Sequence, residues 1–220
     1  MFIGHFGVGF AAKRVAPRPS LGTLFLASQF IDLLWPVFLL IGLEKVTIEP
    51  GNTAFTPLDF VYYPFSHGLL GVLIWSLLFG IVYFLIKKNI TTSILLGCLV
   101  LSHWVLDLIT HRPDLPLITG ANAKVGLGLW NSVILTMLIE GFIFLAGVYL
   151  YQKTTHAENK KGSIGLWSLV IFLGIIYLLN VFGSPPPSSN AIAIAGMFQW
   201  IIVIWGYWID RNRSAAKSAV

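Results

Sequence analysis

Long apolar runs, separated by short polar or turn-rich segments, dominate the pattern of this chain. Six of the runs are long enough to cross a hydrocarbon core of about 30 Å as helices. We predict spans over residues 21–43, 65–86, 91–110, 127–151, 164–183 and 191–209. The pattern therefore predicts an all-α fold, a polytopic membrane helical bundle.

The first apolar segment, residues 1–12, is too short to be a seventh span. Twelve helical residues reach only about 18 Å, so we expect a re-entrant or interfacial half-helix that is retained, because its basic residues follow the apolar run. Pro36 lies inside the first span and predicts a kink there, since proline cannot donate to the carbonyl of Asp32.

We divide this single membrane domain, residues 1–220, into five parts. They are an N-terminal half-helix and basic segment (1–19), a metal-site four-helix core (21–151), a cytoplasmic linker (152–163), a C-terminal helical hairpin (164–209) and a basic tail (210–220).

Composition supports an integral membrane protein. Only 10% of the residues are charged and 56% are hydrophobic, with a mean hydropathy of +0.82, whereas soluble domains average about 25% charged residues. The single cysteine, Cys98, excludes an intrachain disulfide. The net charge of +5 does not indicate a nucleic-acid partner, because the basic residues flank apolar runs. The expected partner is the lipid bilayer, and the oligomeric state stays open.

The distribution of Lys and Arg predicts the orientation. Eleven of the 14 fall in the N-terminal segment, the second-to-third connection, the linker and the tail, which includes Lys217. The positive-inside rule then places both termini in the cytoplasm. His67 and His111 lie near the outer ends of their helices, so a site built on them should open outwards.

The third span carries the strongest candidate chemistry. His103, Asp107 and His111 recur every four residues and so share one helical face. An ionisable group inside a span costs roughly 2.5 to 3.5 kcal/mol on insertion scales, so it persists mainly where it pairs, binds a cation or lines a polar cavity. Imidazole and carboxylate are zinc ligands, and His67 and Asp32 could complete the set from other helices. The alternative is a buried hydrogen-bond network without a metal.

Four further side chains have two interpretations each. His111 could serve the site or cap helix carbonyls, and Asp114 could serve it or bind backbone amides in a turn. Glu140, near mid-bilayer, could be a second-shell base or a structural hydrogen-bonding group. A lone histidine such as His5 is more often structural. Covalent serine catalysis is not expected, because neighbours such as Ser66 and His67 would point to different faces of a helix.

The residues that carry a resemblance are His5 in its Gly-rich segment, Asp32 before Pro36, Ser66-His67, and SHWVLDLITHRPDLPL followed by VGLGLWNS. With these motifs the first four spans resemble bacterial integral-membrane proteins grouped as metal-dependent hydrolases. The resemblance implies a metal site on five residues, namely His5, Asp32, His67, His103 and Asp107. Many of those relatives have paired aspartates in the first span, where this chain has only Asp32, so a single ion is expected.

The lead hypothesis is a zinc-type hydrolase in a bacterial inner membrane, using a metal-activated water on a lipid or lipid-linked ester, amide or phosphoester. His67, His103 and Asp107 would hold the divalent ion, and Asp32 would be a fourth ligand or the base. Glu140 or His111 could orient the substrate or relay protons. One alternative is a cation or proton transporter that uses the same residues. Another is a non-catalytic membrane assembly protein.

Overall fold

The structure, a computed structural model, describes residues 1–120 and 123–216. Helices account for most of the described chain, which confirms the predicted helical bundle. The helices are α1 (Ile3–Ala12), α2 (Leu21–Ser28), α3 (Phe30–Leu40), α4 (Leu69–Lys87), α5 (Ile90–Thr110), α6 (Val133–Thr154), α7 (Lys160–Phe182), α8 (Ser189–Met197) and α9 (Gln199–Asp210), with a 3-10 turn at Leu129–Asn131.

Five helical segments are long and apolar enough to cross a membrane. They are α4, α5, α6, α7 and the continuous stretch Ser189–Asp210 that contains α8 and α9; the bent pair α2 and α3 makes a sixth if it is one span. The predicted boundaries hold to within three residues except at the starts of the second, fourth and fifth spans, where the helices begin at Leu69, Val133 and Lys160. Ser66 and His67 therefore lie in a turn before α4.

The first span is broken, and the predicted site of the break was wrong. Helix α3 runs through Pro36, while a 56° bend separates α2 from α3 at Gln29. The break coincides with a side-chain hydrogen bond from α5: His103 Nδ1 lies 2.9 Å from the carbonyl oxygen of Ser28. A regular helix would use that carbonyl for the amide four residues later. The hydrogen bond from His103 on α5 to the Ser28 carbonyl on α2 therefore replaces a backbone hydrogen bond of a regular helix.

Helix α1 lies inside the bundle, so its apolar surface is covered by protein. Phe6 and Phe10 are fully buried, and α1 packs mainly against α6, with further contacts to α2 and α5. A Cβ on Gly7 would meet the backbone of α6, and one on Gly147 would meet the backbone of Gly7. Small residues permit such close approach of two helices. This contact brings His5 into the centre of the molecule.

Three two-stranded antiparallel sheets close the ends of the bundle. β1 (Lys45–Ile48) pairs with β2 (Leu58–Tyr62), β3 (Leu115–Pro116) with β4 (Lys124–Val125), and β5 (Thr155–Ala157) with β6 (Arg213–Ala215). The segment between β1 and β2 reaches over the bundle, where Phe55 stacks on Trp130. Lys217, part of the charge argument, and the remainder of the tail to residue 220 lie outside the described residues.

Candidate metal centre

Four side chains from three parts of the chain meet at one point. Asp32 Oδ1 on α3 lies 3.3 Å from His67 Nε2 and 3.5 Å from His103 Nε2 on α5. Asp107 Oδ2, one turn further along α5, lies 3.2 Å from His103 Nε2 and 3.8 Å from His67 Nε2. His67, His103 and Asp107 are buried, and 16% of the Asp32 side chain is exposed. The structure therefore brings these four predicted residues together.

His67 is held by a hydrogen-bonded chain that the sequence analysis missed. Ser66 Oγ donates to Glu44 Oε2 at 2.6 Å and lies 2.7 Å from His67 Nδ1. Because the serine proton goes to the carboxylate, the Nδ1–H of His67 donates to Ser66 Oγ and leaves the Nε2 lone pair for the cluster. The prediction that Ser66 and His67 could not touch was wrong, since they lie in a turn and not in a helix.

Glu44 is a buried acid that fixes this turn. Its Oε1 also accepts the backbone N–H groups of Phe65 and Ser66, each at 2.8 Å. A carboxylate with several donors around it anchors the backbone that carries His67. Nothing in the local sequence distinguishes Glu44 from an ordinary loop acid, so only the tertiary contact reveals it.

His103 presents a lone pair to the cluster in the same way. Since a carbonyl oxygen only accepts, the 2.9 Å contact between His103 Nδ1 and the Ser28 carbonyl assigns the proton to Nδ1. His103 Nε2 and Asp107 Oδ2 are both buried without a hydrogen-bond partner among the described residues. Buried polar atoms are normally paired, so these two atoms call for a cation or a proton between them.

The separations between these ligand atoms are compatible with a shared metal ion, and Asp32, His67 and His103 form one group whose ligand atoms all lie within 4.8 Å of one another. Zinc binds imidazole nitrogen and carboxylate oxygen at about 2.0 to 2.2 Å, which puts neighbouring ligand atoms of a tetrahedron about 3.3 to 3.6 Å apart. The four separations measured here run from 3.2 to 3.8 Å. Two neutral imidazoles and two carboxylates are also ligands that zinc accepts. The cluster could therefore hold a metal ion without rearrangement of the backbone.

The other carboxylate oxygen of Asp107, Oδ1, is contacted by His5 of α1 and by the amino group of Met1. His5 Nε2 lies 3.1 Å from Asp107 Oδ1, the α-amino nitrogen of Met1 lies 2.7 Å from the same oxygen, and the His5 ring stacks on His103 at a centroid distance of 3.6 Å. His5, His103 and Asp107 form a second group that could hold a metal. Because His103 offers one free nitrogen, the two groups together suit one ion and not two.

Glu140, on α6, contacts α1 and not the four-atom cluster. Its Oε2 accepts the N–H groups of Phe2 at 2.9 Å and Gly4 at 3.4 Å, at the start of α1. This arrangement supports the structural interpretation of Glu140, since helix N-termini leave such groups unpaired. Its Oε1 has no partner among the described residues, and the residue lines the cavity described below.

His111 and Asp114 form a separate polar unit beside the cluster. His111 Nδ1 lies 2.9 Å from Asp114 Oδ1, and the Tyr63 hydroxyl donates to the same oxygen at 2.9 Å. Of the alternatives considered for these residues, neither structural one is seen: the His111 side chain contacts Asp114 and not helix carbonyls, and Asp114 binds side chains and not backbone amides. Burial lowers the pKa of His111. Burial raises the pKa of Asp114, but hydrogen bonds from His111, Tyr63 and Arg112 outweigh it and hold that pKa below its usual range.

A cavity of about 960 Å³ opens from the cluster. Asp32, His67, Asp107, His111 and Glu140 line its polar end. The remainder is formed largely by apolar residues of α7, α8 and α9 and by the segment between β1 and β2. A cavity of this size, apolar with a few convergent polar groups, is typical of a small-molecule site. The candidate metal centre is thus accessible from a large apolar space.

The bundle therefore contains a buried set of His and Asp side chains that could hold a metal ion at the end of an apolar cavity. Of the predicted site residues, His5, Asp32, His67, His103 and Asp107 are linked by a series of contacts, with His5 contacting Asp107 and His103, whereas Glu140 and His111 line the same cavity from neighbouring positions. No family model, curated protein or solved structure matches the chain.

Proposed function

We propose that this chain is a membrane-embedded, zinc-type hydrolase that acts on a lipid or lipid-linked substrate. One observation carries the proposal. Two imidazole nitrogens, each with its proton committed elsewhere, meet two carboxylate oxygens at 3.2 to 3.8 Å in a buried site. Four acceptors without a donor repel one another unless a cation lies between them. A divalent ion satisfies all four.

We assign the permanent ligand positions to His67, His103 and Asp107. All three are buried, and hydrogen bonds from His67 to Ser66, from His103 to Ser28 and from His5 to Asp107 orient them. Such outer contacts fix ligand tautomers and geometry in metal sites. Asp32 is the least buried of the four and lines the cavity. A catalytic zinc keeps three protein ligands and an open position, so Asp32 fits the base that faces the substrate.

A bound ion would lower the pKa of a coordinated water from 15.7 towards about 7. In the proposed reaction Asp32 takes a proton from the attacking water as its oxygen bonds to the carbonyl or phosphorus centre. The bond to the leaving oxygen or nitrogen then breaks, and the leaving group receives that proton. Glu140 and His111 line the cavity near this point and would orient the substrate.

The membrane setting suggests the substrate. Apolar helices surround the cluster, and the cavity wall is largely apolar, so an amphiphile from the bilayer suits it better than a polar metabolite. From the charge distribution we infer cytoplasmic termini and a site that opens to the outer side. The resemblance to bacterial membrane-bound metal-dependent hydrolases implies the same reaction class.

A cation or proton pathway is the second candidate. The broken span, bent by 56° between α2 and α3, favours it, because transporters often bind ions at interrupted helices. Gln29 at the break is buried, and neither polar atom of its side chain has a partner among the described residues. Metal-dependent flux into liposomes, without release of product from lipid substrates, would support this candidate over a hydrolase.

The proposal is tested with detergent-purified protein by elemental analysis and by hydrolysis of a lipid ester and a lipid amide, before and after chelation. We expect about one zinc per chain, turnover that chelation abolishes and zinc restores, and loss of both in His103→Ala. His156→Ala is the matched control, because His156 is exposed and bonds Ser214 far along the chain. Wild-type protein without stoichiometric metal, or His103→Ala with its metal retained, would contradict the proposal.

A further inference from the structure

The charges around the cavity restrict the kind of lipid that it can hold. Its described lining residues include acids, namely Asp32, Asp107 and Glu140, but no Lys or Arg. Arg112, on the neighbouring loop, pairs with Asp59 and Asp114. The α-amino group of Met1 is paired with Asp107. No described cationic side chain is therefore available to balance a negative substrate.

A divalent ion would not remedy this shortage of positive charge. Asp32 and Asp107 together carry two negative charges, which balance the two positive charges of the ion. Glu140 lies beside the amino terminus, which contributes at most one positive charge. A phosphate group would then bring an unbalanced negative charge into a buried site, where an unpaired charge is strongly unfavourable. A neutral ester or amide brings none.

The neutral polar groups of the cavity suit such a substrate. Trp35 Nε1, Trp130 Nε1 and the Tyr177 hydroxyl are buried, have no hydrogen-bond partner among the described residues, and belong to residues that line the cavity. All three are uncharged donors. The lining thus contains neutral polar residues, whereas phosphate sites normally use Arg or Lys, which the described lining lacks.

The apolar part of the cavity reaches the surface that would face the bilayer. Phe172 and Leu179 on α7, Phe198 immediately before α9 and Ile201 on α9 line the cavity and are 40% to 60% exposed. Large apolar residues that are both cavity-lining and exposed indicate an opening towards lipid. An acyl chain could enter between these helices without crossing water.

We propose that the substrate is an uncharged lipid, a carboxylic ester or amide, whose chain lies between α7 and α9 and whose carbonyl group reaches the metal centre. This inference rests on the proposed hydrolase function and narrows it by excluding phosphoesters. Water adds through its oxygen to the carbonyl carbon, the C–O or C–N bond breaks, and the products are a fatty acid and an alcohol or amine. The acid leaves as a carboxylate that the cavity does not balance, which favours its release.

The test compares two substrates with the same leaving group and chain length, p-nitrophenyl palmitate and hexadecyl p-nitrophenyl phosphate, on zinc-loaded protein. Each kcat/KM is divided by the uncatalysed rate of that substrate. We expect this enhancement to be on the order of 100-fold larger for the neutral ester. Gln199→Arg adds a cation to the cavity lining and should reduce the ratio by about tenfold. Gln152→Arg, at an exposed position of α6, should leave the ratio unchanged.

Three results would overturn the inference. Equal or greater enhancement for the phosphodiester would show that the cavity accepts anions, and the hydrolase proposal would stand. Cleavage of the phosphodiester alone by zinc-loaded protein would contradict the neutral-lipid inference even more strongly. If the wild-type protein binds no zinc, the hydrolase proposal itself fails. If it binds zinc and cleaves neither substrate, the neutral-lipid inference is wrong and the metal assignment stands.

Discussion

Two aspartates, the buried Asp107 and the largely buried Asp210, differ in how fully their carboxylate oxygens are hydrogen-bonded. Asp210 Oδ2 accepts from Lys13 Nζ at 2.5 Å and from the N–H of Leu21 at 2.7 Å, and its Oδ1 accepts from the Tyr151 hydroxyl at 2.5 Å. Asp107 Oδ1 is similarly paired with the Met1 amino group and His5, but its Oδ2 has no hydrogen-bond partner in the described part of the chain and lies near the Nε2 atoms of His67 and His103. Burial of an acid alone therefore does not indicate function. An unpaired atom among other acceptors does.

The largest contrast should come from the isosteric pair Asp107→Asn and Asp210→Asn. We expect Asp107→Asn to weaken zinc binding by at least about 100-fold, because it removes a charged ligand. Asp210→Asn leaves the buried Lys13 without its counter-ion and should cost about 3 kcal/mol of folding free energy. The fraction of this variant that remains folded should still bind zinc stoichiometrically. Zinc titration and thermal unfolding of both variants measure this. Equal loss of zinc in the two variants would contradict the proposed difference between Asp107 and Asp210.

The hydrogen-bonded chain to His67 predicts the next effect. Ser66→Ala removes the acceptor for His67 Nδ1–H, and Glu44→Gln weakens the chain one step further away. We expect zinc affinity to fall by roughly 10- to 100-fold in Ser66→Ala, and less in Glu44→Gln. Ser102→Ala is a matched control, because Ser102 Oγ bonds only a carbonyl of its own helix. Unchanged zinc affinity in Ser66→Ala would show that the hydrogen-bonded chain from Glu44 to His67 does not support metal binding.

A smaller effect should separate orientation from ligation at His5. His5→Phe keeps an aromatic ring that can stack on His103 but removes the hydrogen bond to Asp107 Oδ1. If His5 only orients Asp107, zinc affinity should fall by about tenfold with one zinc still bound. Complete loss of zinc would instead make His5 a ligand. Isothermal titration of the metal-free protein distinguishes the two.

The smallest effect concerns the pH dependence of the His111 unit. Because burial lowers the pKa of His111, the unfolded chain binds a proton there more readily, and folding stability falls as the pH drops below about 6.5. The lowered pKa of Asp114 preserves its contribution until the pH falls below its ordinary value near 3.8. Thermal midpoints of metal-free wild type should thus decline more steeply between pH 7 and 5.5 than those of His111→Gln. Parallel curves would contradict a buried, neutral His111.

The sequence predicted the helical bundle because its apolar runs are long and few polar residues interrupt them. It also identified His67, His103 and Asp107, since ionisable groups within apolar runs are costly. It could not locate the break at Gln29, because that break depends on a hydrogen bond from His103 on a distant helix. The role of Glu44 could not be predicted for the same reason. An acid in a loop becomes part of the site only when the turn at Ser66 folds against it.

The most direct test of the central claim is zinc K-edge X-ray absorption on the purified, zinc-loaded protein. The four-atom cluster predicts a first shell of nitrogen and oxygen only, at about 2.0 to 2.2 Å, with the multiple-scattering signal of two imidazole rings. Asp107→Asn should lose this spectrum, and Asp210→Asn should retain it. A shell without imidazole, or a protein that binds no stoichiometric zinc, would contradict a metal ion held by His67, His103 and Asp107.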